Sequence, residues 1–189
     1  MKNNLNEFIK YSHLIGNRHD FVQGAGGNIS LKNDVDIMTI KASGTQLDHV
    51  TDTNGIAYLK HLNYKERLLE CDNEEDYNNL TEKQTQYDLS SEKASMEVGF
   101  HAVLDKAVIH THNVYSNILL CSAEGRQLIK QLFPTAHILG YVTPGLDLSK
   151  QVFMTAKKDD TQIKLFFLKN HGIIISASSL EEAYLEHQR

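Results

Sequence analysis

The chain lacks the usual marks of a secreted or membrane-inserted protein. Its two cysteines, Cys71 in an acidic polar stretch and Cys121 in an apolar one, lie in contexts that do not suggest a disulfide framework. No apolar run approaches the roughly 20 residues that a membrane helix needs. Residues 1–5 lack the apolar core of a signal peptide. We therefore expect neither export nor membrane insertion, and the cytoplasm is the predicted location.

Positive charge is also scarce. The 19 Lys and Arg residues are outnumbered by 24 Asp and Glu residues, which leaves a formal net charge of −5 without a basic stripe. This balance argues against a nucleic-acid partner. It also gives the chain little nonspecific attraction for anions, so a phosphorylated substrate would have to be held by local donors.

The order of apolar segments and turns predicts the fold class. A chain of 189 residues can form one domain, 1–189, with a sizeable core. Helical and strand patterns alternate, but the junctions at 33–34 and 171–172 are tight and hairpin-like. We therefore predict an α/β protein with three α/β/α layers and a mixed, largely antiparallel central sheet, rather than a doubly wound parallel one.

Three predictions concern the less regular parts of the chain. Asn4 is expected to cap the first helix. The polar segment 63–90 is expected to be an exposed, partly mobile excursion with one helix near 64–69. An amphipathic helix begins at 178–180 with a capping box and stops in mid-pattern at Arg189, which suggests a truncated chain or a surface for a partner.

Two histidines on one predicted strand are the first candidate for chemistry. Residues 91–104 have the pattern of an amphipathic helix, and residues 107–109 that of a buried strand. Residues two apart on a strand share a face, so His110 and His112 project together, and the preceding helix can direct Glu97 toward them. A His-x-His pair alone is weak evidence for a metal site, since such pairs also arise by chance in a chain with ten histidines.

A distant segment strengthens this interpretation. His171 follows the apolar run 165–168 and precedes a glycine, so it also lies at the end of a strand. Three imidazoles leave an open position on a tetrahedral metal, which is the arrangement of a catalytic rather than a structural zinc site. The spacing of six further histidines does not indicate that they join this ligand set, and we interpret them as structural or solvated: His13, His19, His49, His61, His137 and His187.

Three short turns offer hydrogen-bond donors. The glycine-rich loop 24–28 lacks the spacing of a dinucleotide-binding loop and of a P-loop, but its backbone and the Asn28 amide can face a phosphate. Ser43 and Gly44 form a second such turn. Ser95, near the start of a predicted helix, is a third donor.

These segments together resemble a known family. Gly27-Asn28-Ile29-Ser30, Lys41-Ala42-Ser43-Gly44, Ser95-Met96-Glu97 with His101, His110-Thr111-His112 and Asn170-His171-Gly172 occur in the order and at the spacings of the class II aldolase/adducin family. The resemblance covers roughly residues 5–185, with 63–90 the least matched part. It is specific for the superfamily and not for one reaction.

The resemblance implies roles for individual residues. It makes His110, His112 and His171 the ligands of a divalent metal, usually zinc, and Glu97 the catalytic carboxylate. It assigns the substrate phosphate to the pocket formed by Asn28, Ser43, Gly44 and Ser95. His101, four residues after Glu97, suits either an orienting role or core packing. Fuculose-type aldolases often have a second serine where this chain has Met96, which removes one phosphate donor.

The resemblance also implies an activity. We expect a metal-dependent aldolase that cleaves a phosphorylated ketose by a retro-aldol reaction. An epimerase, a dehydratase or a non-catalytic adducin-like interaction module remain alternatives. Proteins of this family usually form tetramers and take a tyrosine from a neighbouring subunit, so a homotetramer is expected. Tyr115, Tyr141 and Tyr184 are candidates for this tyrosine.

Overall fold

A seven-stranded sheet with helices on both faces forms the fold. The computed structural model describes residues 2–189, with the side chains of residues 2 and 3 excepted. The strands lie in the order β3-β2-β1-β4-β7-β6-β5, and all neighbours pair antiparallel except β5 and β6, which are parallel. The strands are β1 Asn28–Lys32, β2 Ile37–Lys41, β3 Ile56–Lys60, β4 Ala107–Thr111, β5 His137–Leu139, β6 Lys164–Leu168 and β7 Gly172–Ala177.

The helices form two outer layers, as predicted for a three-layer α/β/α fold. One apolar cluster joins the sheet to the helices α1, α5, α6 and α8, and two further clusters join its other face to α2, α3, α4 and α7. The helices are α1 Lys2–Gly16, α2 Tyr64–Glu70, α3 Glu74–Gln84, α4 Val98–Val103, α5 Val114–Cys121, α6 Gly125–Leu132, α7 Leu146–Ala156 and α8 Leu180–His187. No helix among residues 2–189 is long and apolar enough to span a membrane.

The helix predicted over 91–104 is wrong in its first half, because only residues 98–103 are helical. Ala94 forms a β-bridge with Ala42, and the Ser43 amide donates to the Lys93 carbonyl at 2.8 Å. These bonds hold the residues before the helix in an extended conformation against the loop after β2. This places Glu97 immediately before the first residue of α4.

The segment 63–90 also differs from its prediction. It forms two helices, α2 and α3, and buries Tyr64 and Tyr77 almost completely. The Tyr77 hydroxyl donates to the Met96 carbonyl at 2.7 Å and accepts from the Gly99 amide at 2.8 Å. The predicted helix near 64–69 is thus present as α2, and most residues of the segment are exposed, while its buried Tyr77 supports the turn that carries Glu97.

The two ends of the chain give one correction and one confirmation. The predicted cap at Asn4 is wrong, because α1 already begins at residue 2. The capping of α8 is confirmed, since Ser179 Oγ accepts from the Glu182 amide at 3.2 Å. Leu180 and Ala183 on the apolar stripe of α8 are fully buried in the chain's own core, so that stripe does not by itself indicate a partner.

Candidate metal centre and active site

Strand β4 positions two of the three predicted ligands. His110 pairs across the sheet with Asn28 on β1 and with Ile174 on β7, and its side chain points to the face covered by α4. His110 is fully buried. His112 follows two residues later on the same side of the chain, as the strand period requires.

The turn between β6 and β7 brings in the third ligand. Asn170 adopts a left-handed conformation, with φ of 57°, which asparagine tolerates better than most residues. A Cβ on Gly172 would lie 2.1 Å from the Thr111 carbonyl oxygen, so only glycine allows β7 to start this close to β4. As a result His171 lies beside the two histidines of β4.

The three imidazoles converge on one point. Their ring centroids are 5.1 Å apart for His110 and His112, 4.9 Å for His110 and His171, and 5.2 Å for His112 and His171. Each ring offers one nitrogen, and these nitrogens all lie within 4.8 Å of one another. This is the donor set of a divalent-metal site with an open position.

The protonation of the rings suits a metal. His110 Nδ1 lies 2.8 Å from the Ile173 carbonyl, which can only accept, so Nδ1 carries the proton and Nε2 keeps its lone pair. The Nε2 atoms of His110 and His112 are buried without a hydrogen-bond partner among the described residues. Burial lowers the pKa of His110 to about 4 and also lowers the pKa of His112, so both rings are neutral at pH 7. Two orphaned, neutral imidazole nitrogens fit a metal ligand set.

Glu97 faces the same point with one of its two oxygens. Its Oε2 accepts from Asn28 Nδ2 at 2.8 Å, while Oε1 lies 3.0 Å from His171 Nε2 and 3.5 Å from His110 Nε2. Burial of the carboxyl raises its pKa, but the interactions with the imidazoles of His110 and His171, including the hydrogen bond to His171, outweigh this effect. The net pKa of Glu97 is well below its ordinary value, so the carboxylate is ionised at neutral pH.

The donor turns predicted from the sequence lie together beside the triad. Asn28 Nδ2 donates to Ser95 Oγ at 3.2 Å, and Ser95 Oγ accepts from the Glu97 amide at 3.3 Å. A cavity of about 330 Å³ is lined by Asn28 and Ser95, by Ser43 and Gly44, and by His112, His171 and Glu97. The four predicted phosphate-binding residues thus share one cavity with the candidate metal centre.

Lys41 is a residue of this cavity that the sequence analysis did not single out. It is only 2% exposed, and its Nζ donates to the Ala25 carbonyl at 2.9 Å and the Thr45 carbonyl at 2.8 Å. It therefore ties the loop before β1 to the loop after β2. Burial lowers the pKa of its ammonium to about 8, although Glu97 opposes this shift. At pH 7 Lys41 is cationic and has one N–H left to offer.

The structure places His101 behind the cavity. It is fully buried, its Nδ1 lies 2.8 Å from Ser30 Oγ, and its ring stacks on Phe100 with centroids 4.7 Å apart. Within residues 2–189, no hydrogen bond joins it to Glu97. Ser30 is thus the partner of its Nδ1, its Nε2 is buried without a partner among the described residues, and an orienting role for His101 stays a prediction.

The candidate tyrosines lie elsewhere. Tyr115 and Tyr141 are 65% and 61% exposed, and Tyr184 packs against Tyr11 with ring centroids 5.6 Å apart. The cavity lining contains none of the three. Met96, by contrast, lines the cavity and is 60% exposed, so an apolar side chain borders the donor-rich turns.

Known proteins are similar to this chain in sequence and in fold. The family model described as "Class II Aldolase and Adducin N-terminal domain" matches residues 6–188. An L-fuculose phosphate aldolase from Methanococcus maripaludis is 27% identical over 197 aligned residues, which cover 97% of this chain and 89% of that protein. A 3-oxo-tetronate 4-phosphate decarboxylase from Escherichia coli is 29% identical over 110 residues, half of each chain.

A solved structure shares the architecture. It is the N-terminal class II aldolase domain of a conserved protein from Thermoplasma acidophilum, which superposes with a TM-score of 0.82. The two sequences are 24% identical, and the match covers 97% of this chain and 88% of that one, so this likeness concerns the fold. Because the family model matches nearly the whole chain, the chain belongs to the class II aldolase and adducin family, and its relatives indicate an enzyme.

Proposed function

We propose that the chain is a metal-dependent aldolase that cleaves a phosphorylated ketose by a retro-aldol reaction. The observation that carries this proposal is the convergence of three imidazole nitrogens within 4.8 Å of one another, with a Glu97 oxygen 3.0 Å from one of them. A metal ligand set and a buried carboxylate thus open into the same cavity, whose other wall carries hydrogen-bond donors.

We propose zinc as the metal, held by His110, His112 and His171. Three neutral nitrogen ligands leave the ion its full positive charge and are a common ligand set of catalytic zinc. When bound, such an ion supplies Lewis acidity, which stabilises the negative charge that develops on a ketose when its carbon–carbon bond breaks. The chain's own contribution is to hold the three rings in place, for example through the bond from His110 to the Ile173 carbonyl.

Glu97 is proposed to move the proton at carbon. Retro-aldol cleavage leaves the bonding electron pair on one carbon, which must then gain a proton. Asn28 fixes Oε2 of Glu97, so that Oε1 faces the triad and the cavity. Burial by itself raises the pKa of this carboxyl, and a substrate that closes the cavity over Glu97 therefore favours proton uptake and later release.

The donor side of the cavity is proposed to hold the substrate phosphate. The side chains of Ser43 and Ser95 and the backbone at Gly44 offer neutral donors, and Lys41 adds a positive charge. Asn28, whose two N–H groups donate to Ser95 and Glu97, would have to release one of them to bind the phosphate directly. A local cation matters here because the whole chain has a net charge of −5. If a phosphorylated ketose binds no more tightly than the unphosphorylated sugar, this assignment is wrong and Met96 marks a different substrate class.

A decarboxylase is the second candidate, because the half-length match to the E. coli relative concerns a protein of that name. Loss of CO₂ from a 3-oxo acid also leaves negative charge next to a carbonyl, so it would use the same ligands and base. An epimerase or a dehydratase would require the same fold and the same arrangement of metal ligands and carboxylate. The non-catalytic module is not retained, because the relatives indicate an enzyme.

Product analysis separates these reactions. Metal-loaded protein is incubated with a panel of ketose 1-phosphates and, separately, with 3-oxo-tetronate 4-phosphate. An aldolase yields dihydroxyacetone phosphate and an aldehyde in equal amounts. Release of CO₂, or a product with an unbroken carbon skeleton, contradicts the aldolase proposal and identifies the alternative reaction.

We further propose a homotetramer in the cytoplasm. The oxygen that becomes the aldehyde must lose a proton during cleavage, and the cavity lining contains no tyrosine for this step. A residue from a second copy of the chain would complete the site. Sedimentation of active protein tests this idea: a species that stays monomeric at assay concentration and turns over fully contradicts a shared site.

A further inference from the structure

A second polar cavity lies at the opposite end of the sheet from the triad. It has a volume of about 500 Å³, and its lining includes Lys32, His61, Lys65 and Lys106. Strand β1 joins the two sites, because it begins at Asn28 beside Glu97 and ends at Lys32. Four residues of extended strand correspond to about 13 Å, so the two cavities are separate.

Lys32 is the buried amine of this second cavity, and burial, together with the nearby charge of Lys65, lowers its pKa to about 7. It is 5% exposed and lies on the same face of β1 as Asn28, two strand periods away. Its Nζ donates to the carbonyls of Leu104 and Asp105. An ammonium group has three N–H donors, so one of them is not used by these two carbonyls.

His61 adds an unpartnered nitrogen. Its Nε2 is buried and has no hydrogen-bond partner within residues 2–189. The backbone at this position is fixed, since the amides of His61 and Leu62 both donate to Asp36 Oδ1, at 2.9 Å and 2.6 Å. A buried polar atom without a partner is costly, which indicates that something else satisfies it.

The cavity lining holds the carboxylates of Asp34 and Asp105 beside its three lysines. Lys65 has no carboxylate within 4.0 Å in the described part of the chain, and Lys106 lies 3.9 Å from Asp34, whose side chain is 96% exposed. The Asp105 carboxylate is already engaged, by Lys164 Nζ at 3.0 Å and by Ser176 Oγ at 2.9 Å. Lys65 and one N–H of Lys32 are therefore left without a carboxylate partner in the described part of the chain.

From these contacts we propose that the second cavity binds a phosphate-type oxyanion. A hydrogen phosphate can accept from Lys32 and Lys65, and at His61 Nε2 it can donate its own P–OH or, in the other ring tautomer, accept, because it carries several acceptor oxygens and one hydroxyl. Sulfate-sized anions fit within a cavity of this volume. The inference does not depend on the reaction proposed for the triad.

Residue-resolved NMR tests the proposal on the metal-loaded protein of residues 1–189. Inorganic phosphate is titrated while the amide signals of His61, Leu62 and Lys65 are followed, and the Gly44 amide reports separately on the cavity beside the triad. We expect saturable shifts at the second cavity. Lys65→Gln should weaken this binding about 3–5-fold, as expected for one partly exposed charge, without a change at Gly44.

Lys83→Gln is the matched control, because Lys83 is an exposed lysine on α3 and its replacement changes the net charge equally. It should leave binding at the second cavity unchanged. Shifts confined to the region of Gly44, shifts that do not saturate, or equal weakening by both substitutions would each overturn the proposal. A parallel titration with a sugar phosphate monoester distinguishes free phosphate from an esterified ligand: tighter saturation by either one identifies the preferred form.

Discussion

The two faces of strand β4 use histidine in different ways. On the face toward α4, His110 lies beside two other imidazoles, and Glu97 is 3.5 Å from its Nε2. On the opposite face, Thr111 Oγ1 lies 2.6 Å from Nε2 of a single ring, His187, which packs on Phe21 with centroids 4.1 Å apart. Both rings are buried. His110 and Thr111, the partner of His187, are adjacent residues of β4.

The comparison shows which property marks a candidate metal ligand. Burial lowers the pKa of His110 and of His187 alike, in both cases to about 4. A buried, neutral imidazole is therefore not by itself a sign of function. The face toward α4 differs because three ring nitrogens and a carboxylate meet there, whereas the opposite face offers one hydroxyl and an apolar surround.

The largest expected effect is on metal binding, and it separates the two faces directly. His171→Ala removes one of three ligands and should reduce metal affinity by more than about 100-fold, since even the loss of an outer-shell partner costs 10- to 100-fold. His187→Gln, on the other face, should retain one equivalent of metal. Metal analysis after dialysis measures both; equal retention by the two variants would contradict the difference between the faces.

The next effect concerns Glu97. Glu97→Gln keeps the shape of the side chain and the bond with Asn28 but removes the base, so turnover should fall by about 10²–10⁴-fold. The three imidazoles are unchanged, and the metal content should persist. Undiminished turnover in a metal-replete Glu97→Gln protein would assign the proton transfer to another group.

A smaller effect concerns stability against acid on the opposite face. His187 has a pKa of about 4 in the folded chain, against an ordinary value of 6.5, so between these values the unfolded chain binds more protons. The stability that the buried, neutral His187 contributes is therefore fully present above pH 6.5 and is lost as the pH falls toward 4. The lowering of the His187 pKa corresponds to about 3 kcal/mol in the free energy of unfolding.

Urea unfolding measures this contribution as a difference between two proteins. Between pH 7 and pH 4, the wild type should lose about 3 kcal/mol more than His187→Gln. The other buried histidines are present in both proteins, and their contributions cancel in the comparison. An identical loss in the two proteins would show that His187 titrates normally in the folded chain.

The smallest expected effect is that of Thr111→Val. It removes the hydroxyl that bonds to His187 but preserves the volume and branching of the side chain. Stability should fall by about 1–3 kcal/mol, the cost of leaving a buried ring nitrogen unpaired. Metal content and turnover should not change, because Thr111 points away from the triad; a loss of metal would mean that the two faces are coupled.

Much of the site could be predicted because strand geometry is regular. The period of two places His110 and His112 on one side, and the short junction before Gly172 brings His171 to the neighbouring strand. The alternating predictions of helix and strand also led to the correct three-layer class. The roles of these residues stay predictions until they are measured.

The remaining features depend on contacts that pattern reading does not see. Residues 92–95 are not helical because Ala94 pairs with Ala42, a contact distant in sequence. Tyr77, in a polar segment, is buried because Met96 and Gly99 supply its hydrogen-bond partners. Lys41 ends a strand in which alternation would turn it to solvent, yet it is buried by bonds to two loop carbonyls.

X-ray absorption at the metal edge tests the central claim most directly. The protein is purified without chelators, and its metal content is first measured. We expect about one zinc per chain, with three imidazole nitrogens at about 2.0–2.1 Å and oxygen ligands completing the shell. A sulfur ligand at about 2.3 Å, fewer than three imidazoles, or no stoichiometric metal would contradict the convergence of His110, His112 and His171 on one ion.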